Sequence, residues 1–188
     1  AHPCQGVADA ATLTERFDGD LEGKRFVLSW AQHPKALPMA VPNTTLRTAA
    51  RCGMDVTVAR PDSHPLDEDV MQQAAATASE AGGTVTASTD LEAAVIDADV
   101  VYAKSWGGPL QYTDSEQEAE VRAGHDDWRI TADHMARTRD GAFMHCLPVR
   151  RNVVVDDAVL DGPHALHLDQ AEYRLHAQKA LLEYVWDV

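Results

Sequence analysis

At 188 residues and 45% hydrophobic content, the chain is long enough to bury a substantial core and short enough to be read as one domain. Its formal net charge of −14 argues against nucleic acid or an anionic membrane as partner, since both are polyanions that reward basic surface; the surplus of carboxylates is also a halophile-like trait. Cys4, Cys52 and Cys146 show neither CxxC nor Cys/His spacing, and no segment reaches the roughly 18 apolar residues of a membrane span or reads as a leader, so a cytoplasmic protein without disulfides, metal or membrane anchor is expected.

Short β-rich runs alternate with helical patterns, the rhythm of a parallel sheet covered by helices on both faces. The first strand is expected at Arg25–Trp30, followed by a helix over residues 41–52 and a second strand at Asp55–Ala59. Residues 67–81 are Ala-rich and open on acidic residues suited to a helix N-terminus, and Gly82-Gly83 stops that helix. A strand over 84–87 precedes a short helix over 90–96 capped by Asp90, and a further strand spans Val100–Lys104. Residues 107–128 are polar, acidic and punctuated by Gly and Pro, which reads as a long surface loop with one helical turn. Strands over 142–146 and 165–168 and an amphipathic helix over 170–184 complete the chain. No repeat or linker marks a second domain.

In an open α/β sheet, ligands bind beyond the carboxyl ends of the strands near the switch in strand order. Polar segments fall at several such ends: Ser29 to Lys35, Lys104 to Gly107, Cys146 to Asn152, and Asp169 to Arg174. Among them, His145-Cys146-Leu147-Pro148-Val149-Arg150-Arg151-Asn152 carries the most chemistry. Leu147 precedes a proline and is biased to extended backbone, leaving nearby carbonyls free to accept from a ligand amide. Two adjacent arginines offer planar donors for carboxylate or phosphate. Taken alone, the segment is equally a buried strand end with a solvated Arg pair.

His-Cys-Leu-Pro together with two further motifs resembles the ornithine-type carbamoyltransferases. The chain opens with His2-Pro3-Cys4-Gln5, similar to the family's His-Pro-x-Gln at the start of a domain-linking helix. It closes with Ala171-Glu172-Tyr173-Arg174-Leu175-His176, similar to the family's Ala-Glu-Asn-Arg-x-His helix, with Tyr173 in place of the usual Asn. The resemblance implies a doubly wound, Rossmann-like parallel α/β domain, in agreement with the pattern, and transfer of the carbamoyl group of carbamoyl phosphate to a δ-amine without metal, cofactor or covalent intermediate. It implies that His2 donates to the carbonyl oxygen, Gln5 holds the carbamoyl amide, the backbone carbonyls of Cys146 and Leu147 accept from that amide, and Arg174 stabilises negative charge. The Cys146 thiol would sit beside the attacking amine.

On the amino-acid side, ornithine enzymes carry Asp-x-x-x-Ser-Met-Gly, whose Asp pairs with a free α-ammonium. The corresponding run here is Val101-Tyr102-Ala103-Lys104-Ser105-Trp106-Gly107, with Val101 for the acid and Lys104 as a new cation. An unpaired ammonium buried there would be costly, whereas an N-acylated substrate presents only an α-carboxylate that Lys104 and Arg150 could pair with. These runs, and Ser29 to Lys35 with His33, look like N-acetylornithine and N-succinylornithine carbamoyltransferases. Ser105 and Trp106 would line the same pocket. Leu37 to Asn43 looks like the succinyl group, while Ala103 to Gly107 and Arg174 to Lys179 look like the acetyl group, which is favoured. N-acetylcitrulline, an intermediate of arginine biosynthesis, would be the product. Ornithine itself is a further alternative.

The family also has an N-terminal domain with a Ser-x-Arg-Thr-type phosphate loop, completed by a neighbouring subunit in a trimer. No such run occurs here, and the first residue is Ala1, so the chain is expected to be the C-terminal half of a homotrimeric enzyme and, by itself, a monomer. Two rivals differ in kind. A dinucleotide module would need a GxGxxG after a strand, and none is present. A non-catalytic binding domain would be encoded as this region alone. On the enzyme reading, the purified 188-residue chain should form no citrulline-type product from carbamoyl phosphate; robust turnover by it would contradict the half-site expectation.

Overall fold

Central strands with near-continuous apolar runs demand cover on both faces, and that is where the sequence places them. In the computed structural model, which describes residues 1–186, β1 (Arg25–Trp30), β2 (Asp55–Ala59), β3 (Thr84–Ser88), β4 (Val100–Lys104) and β5 (Ala142–Met144) form one parallel sheet in the order β3-β2-β1-β4-β5. All of β4, and β1 after Arg25, are buried, while threonine-rich β3 forms a more exposed edge. The doubly wound α/β class expected from the sequence is the one observed.

The chain runs outward from β1 to β2 and β3, then crosses back to lay β4 on the other side of β1. The switch point therefore lies between β1 and β4, whose last residues, Trp30 and Lys104, stand level in register.

Eight α-helices are present among the described residues: α1 (Pro3–Arg16), α2 (Ala40–Arg51), α3 (Glu68–Glu80), α4 (Leu91–Ala94), α5 (Ser115–Ala123), α6 (Ala132–Ala136), α7 (Asp157–Leu160) and α8 (His167–Trp186). Helix α1 starts with Pro3 in its first turn, where a missing N–H removes no helical bond. It packs against α2 and α8. The α1–α2 seam needs glycine: a Cβ on Gly6 would come within 2.6 Å of Thr48 Oγ1. Asp67 caps α3 through bonds from Asp69 and Val70 N–H, and Gly82 follows that helix at φ 90°, a left-handed conformation suited to glycine.

Three expectations are corrected. The strand over 142–146 ends at Met144, because the His145 N–H turns from the ladder to the Gln170 side chain. The strand over 165–168 is reduced to a single bridge between Phe143 and Ala165, since the chain enters α8 at His167. The loop over 107–128 holds a short 3-10 turn at Pro109–Tyr112 and the nine-residue α5, capped by Asp114. Helix α5 escaped a search for apolar periodicity because its inward face is charged. Glu118 and Arg122 lie one turn apart with their side chains 3% and 7% exposed, paired at 3.2 Å. Arg122 also donates to the His33 carbonyl at 2.6 Å, which ties α5 to the loop after β1. Removing one partner of a buried pair strands the other, so Glu118→Ala should lower the unfolding free energy by about 3–5 kcal/mol in urea denaturation. A loss below about 1 kcal/mol would mean that Arg122 finds water instead.

Candidate active site

A cavity of ≈ 410 Å³ opens beyond the carboxyl ends of β1, β4 and β5, at the switch point. Its lining draws on the start of α1 with His2 and Gln5, and on the segment after β1 with His33 and Leu37. Lys104 and Ser105 come from the end of β4, His145 to Pro148 from the turn after β5, and Arg174 from α8. Arg150, Val41 and Val154 complete it.

Every residue picked from the sequence lines this cavity except Trp106. The Trp106 side chain is fully buried, its indole N–H donates to the His64 carbonyl at 3.0 Å, and its own carbonyl accepts from Trp30 Nε1 at 2.8 Å. It anchors the segment after β4 instead of facing a ligand. Val101 also needs correction: it lies fully buried inside β4, paired in register with Phe143 and Val27. A strand-interior position cannot face the substrate, so the contrast with an acid rests on Lys104, at the strand end.

His2 is held at the mouth of the cavity, its backbone N–H donating to Thr44 Oγ1 at 2.8 Å. Gln5 Oε1 accepts from Arg174 Nη1 at 2.7 Å, joining the two ends of the chain across the site. Tyr173, the departure from the family pattern, donates through its hydroxyl to Glu15, a bond between α8 and α1. The Ser105 hydroxyl donates to the Gln32 carbonyl at 3.3 Å. The Leu147-Pro148 peptide is cis, and Leu147 is 46% exposed at the rim.

The two neighbouring arginines differ. Arg151 is closed by Asp157 and Asp161 at 2.9 and 2.6 Å, whereas Arg150 reaches across to His33, its Nε donating to Nε2 at 3.0 Å. That bond calls for an unprotonated Nε2. With Nε2 as acceptor the proton sits on Nδ1, 2.9 Å from the Lys35 carbonyl, while the Lys35 N–H stands 3.0 Å from the same nitrogen. A neutral ring is required, and burial together with the charges of Arg150, Lys104 and Arg122 lowers the His33 pKa in the required direction.

Burial likewise lowers the Lys104 pKa, with Cys146 acting against it. The Cys146 thiol is pushed up by burial in spite of Lys104, which keeps it protonated and unsuited to nucleophilic attack at neutral pH. Three cations, Lys104, Arg150 and Arg174, face the cavity, and among the described residues no Asp or Glu lines it.

A family model described as "Aspartate/ornithine carbamoyltransferase, Asp/Orn binding domain" matches residues 39–185. The chain belongs to the aspartate/ornithine carbamoyltransferase family. It is 46% identical over 183 residues to the N-acetylornithine carbamoyltransferase of Xanthomonas campestris pv. campestris, covering 96% of this chain and 54% of that protein. An ornithine carbamoyltransferase of Methanoculleus marisnigri is 40% identical over 182 residues, covering 96% of this chain and 54% of that protein. A solved acetylornithine transcarbamylase complexed with acetylcitrulline superposes with a TM-score of 0.94 at 46% identity, over 97% of this chain and 55% of that one. The same scores hold for an N-acetyl-L-ornithine transcarbamylase mutant complexed with carbamyl phosphate and N-succinyl-L-norvaline. The chain spans about half the length of the curated relatives it matches.

Some residues at the site had no signal in the sequence reading. Val154 lines the cavity from a stretch with no recognisable motif. Asp9 and Gln170 lie beneath the lining; a four-residue spacing from Gln5 to Asp9 on one helix face was the available sign for the first.

His145 and His64 are held neutral by burial, with pKa values near 3 and 4, below the 6.5 of a free imidazole. Their contribution to stability is full above pH 6.5 and is lost as pH falls toward those values, because the unfolded chain takes up the protons first. Asp9, raised to about 6 by burial, runs the other way: its ionisation costs stability as pH rises from 3.8 through 6. With two histidines against one carboxyl, urea unfolding should show lower stability at pH 4.5 than at pH 7. His145→Gln should shrink that difference by about 2 kcal/mol. An undiminished difference would place the acid sensitivity at other groups.

Proposed function

We propose that this chain is the amino-acid-binding domain of an N-acetylornithine carbamoyltransferase, which transfers the carbamoyl group of carbamoyl phosphate to the δ-amine of N-acetyl-L-ornithine, giving N-acetylcitrulline and phosphate. The observation that carries the reading is a cavity lined, among the described residues, by three cations and no carboxylate. Free ornithine brings an α-ammonium that would find no counter-charge in this half of the site, and burying it beside Lys104 would be repulsive. An N-acylated substrate has lost that ammonium and presents a carboxylate, which suits Lys104 and the Arg150 fork held by His33. The choice of acetyl over succinyl is supported by the 46% identity to the Xanthomonas enzyme.

In this reading the neutral δ-amine attacks the carbonyl carbon of carbamoyl phosphate, a C–N bond forms, and the tetrahedral intermediate expels phosphate with the electrons of the C–O bond, the proton lost by the amine leaving on the phosphate. The protein contributes orientation and stabilisation of the developing oxyanion. His2 donates to the carbonyl oxygen, and Gln5 Oε1 with the carbonyls of Cys146 and Leu147 accept from the carbamoyl amide. Arg174 neutralises charge on the phosphate side, and the Cys146 thiol packs beside the attacking nitrogen. The remaining phosphate contacts belong to a second domain of the full-length protein, which we take to be a cytoplasmic homotrimer.

Lys104→Asp in the full-length enzyme should reduce kcat/KM for N-acetylornithine by roughly 30-fold or more, the scale of losing a desolvated charge pair. The assay is N-acetylcitrulline formation at saturating carbamoyl phosphate. Unchanged turnover would remove Lys104 from the substrate site.

A further inference from the structure

We propose that Asp9 is the positioning residue for the carbamoyl side of the site: through one buried carboxylate it sets the orientation of the Gln5 and Gln170 amides, and through them the placement of Arg174 and the His145-Cys146 backbone. The proposal deepens the carbamoyl-transfer reading, and its functional half rests on that reading. Its structural half does not.

Asp9 is 1% exposed, one helical turn after Gln5 on the same face of α1. Its Oδ1 accepts from Gln5 Nε2 at 2.7 Å and from Gln170 Nε2 at 2.6 Å, and its Oδ2 accepts from Thr45 Oγ1 at 3.4 Å. The far end of each amide meets a group that can only donate. Gln5 Oε1 accepts from Arg174 Nη1 at 2.7 Å, and Gln170 Oε1 accepts from the His145 N–H at 3.1 Å. Gln170 Nε2 also donates to the Tyr102 hydroxyl at 3.1 Å.

An amide has one acceptor end and one donor end. Guanidinium and backbone N–H take the two oxygens, so both NH2 groups turn toward Asp9, the acceptor that they share, with the Tyr102 hydroxyl as a second acceptor for Gln170. With Asp9 in place, Gln5 turns its oxygen toward Arg174 and the cavity, where it can take a hydrogen bond from a ligand amide. Without it the Gln5 NH2 loses its buried acceptor and Arg174 alone holds the oxygen, so the amide is held at one end only and is less firmly placed toward the ligand amide.

The fold alone gives little reason for this carboxylate. Burial disfavours its ionised form, and apolar residues of similar size at Asp9, Gln5 and Gln170 together would serve packing as well or better. A buried acid retained beside a cavity points to a task at the cavity.

Two measurements decide the matter. In the 188-residue chain, NMR should find the side-chain amide protons of Gln5 and Gln170 protected from solvent exchange. Asp9→Leu should speed the Gln5 exchange by about tenfold or more, while Asp9→Asn, which keeps an acceptor oxygen, should preserve protection. Equal protection in the wild type and Asp9→Leu would overturn the proposal. In the full-length enzyme, Asp9→Leu should raise KM for carbamoyl phosphate about tenfold or more, with KM for N-acetylornithine changed less than about threefold, and Asp9→Asn should restore most of the loss. Equal damage by both variants, or a change confined to the amino-acid KM, would also overturn it. If Asp9→Leu fails to fold by circular dichroism, Asp9→Ala takes its place in both measurements. Should the wild-type full-length enzyme transfer no carbamoyl group, the functional reading falls, and the exchange measurement still decides whether Asp9 holds the amides.

Discussion

Parallel strands all end on the same side of a sheet, and everything useful in this chain hangs from that edge. Once β1 and β4 pair with Trp30 level with Lys104, the segments leaving them must diverge, one toward β2 and one away from it, and a crevice opens between. The polar residues at the crevice belong to segments far apart in sequence, from His2 to Arg174, and neither helix packing nor composition would gather them without that geometry. The short β5 serves the same end: by stopping at Met144 it frees the next peptide to turn into the site.

The lining depends in turn on a layer of buried polar groups directly behind it. Beside Arg174, α1 and α8 are joined through Gln5, Asp9 and Gln170; beside Lys104 and Arg150, Arg122 and Glu118 hold the His33 loop from below. Charged groups this deep contribute little net stability. They have discrete hydrogen-bonding requirements, however, and those requirements fix two amide orientations at Gln5 and Gln170. Packing among apolar side chains specifies shape; these groups specify which atom faces the ligand.

Much of this was legible in the sequence, for physical reasons that can be named. Strands β1 and β4 are buried on both faces and show as near-continuous apolar runs, β2 alternates, and all three were read with their observed limits. Helix α3 showed itself through Asp67 and Gly82, residues whose chemistry marks helix ends. Helix α5 was hidden because its buried face carries Glu118 and Arg122, which a hydrophobic pattern scores as solvent-facing. At the site, residues within motifs were found and those outside were not. Trp106 and Val101 were misplaced because neighbours in a motif were taken as neighbours at the ligand, although one belongs to the core beneath the loop and the other to the strand interior. Asp9 was invisible for a related reason: its partner Gln170 is 161 positions away, and only the fold brings them together.

The adjacent arginines bear on how ligands arrive. Composition counts both as positive, but Arg151 is neutralised by two aspartates, so the pair offers one available charge, and with Lys104 and Arg174 this makes a small positive well in a protein of net charge −14. An anion approaching from a distance meets the repulsive field of the whole molecule first. Salt confines that field to roughly 8 Å at physiological ionic strength, so what the anion feels close to the surface is the local charge of the cavity mouth. Association with such a site quickens when moderate salt removes the long-range repulsion and slows when more salt screens the well itself, which gives an optimum in ionic strength where a uniformly basic site would show only decline.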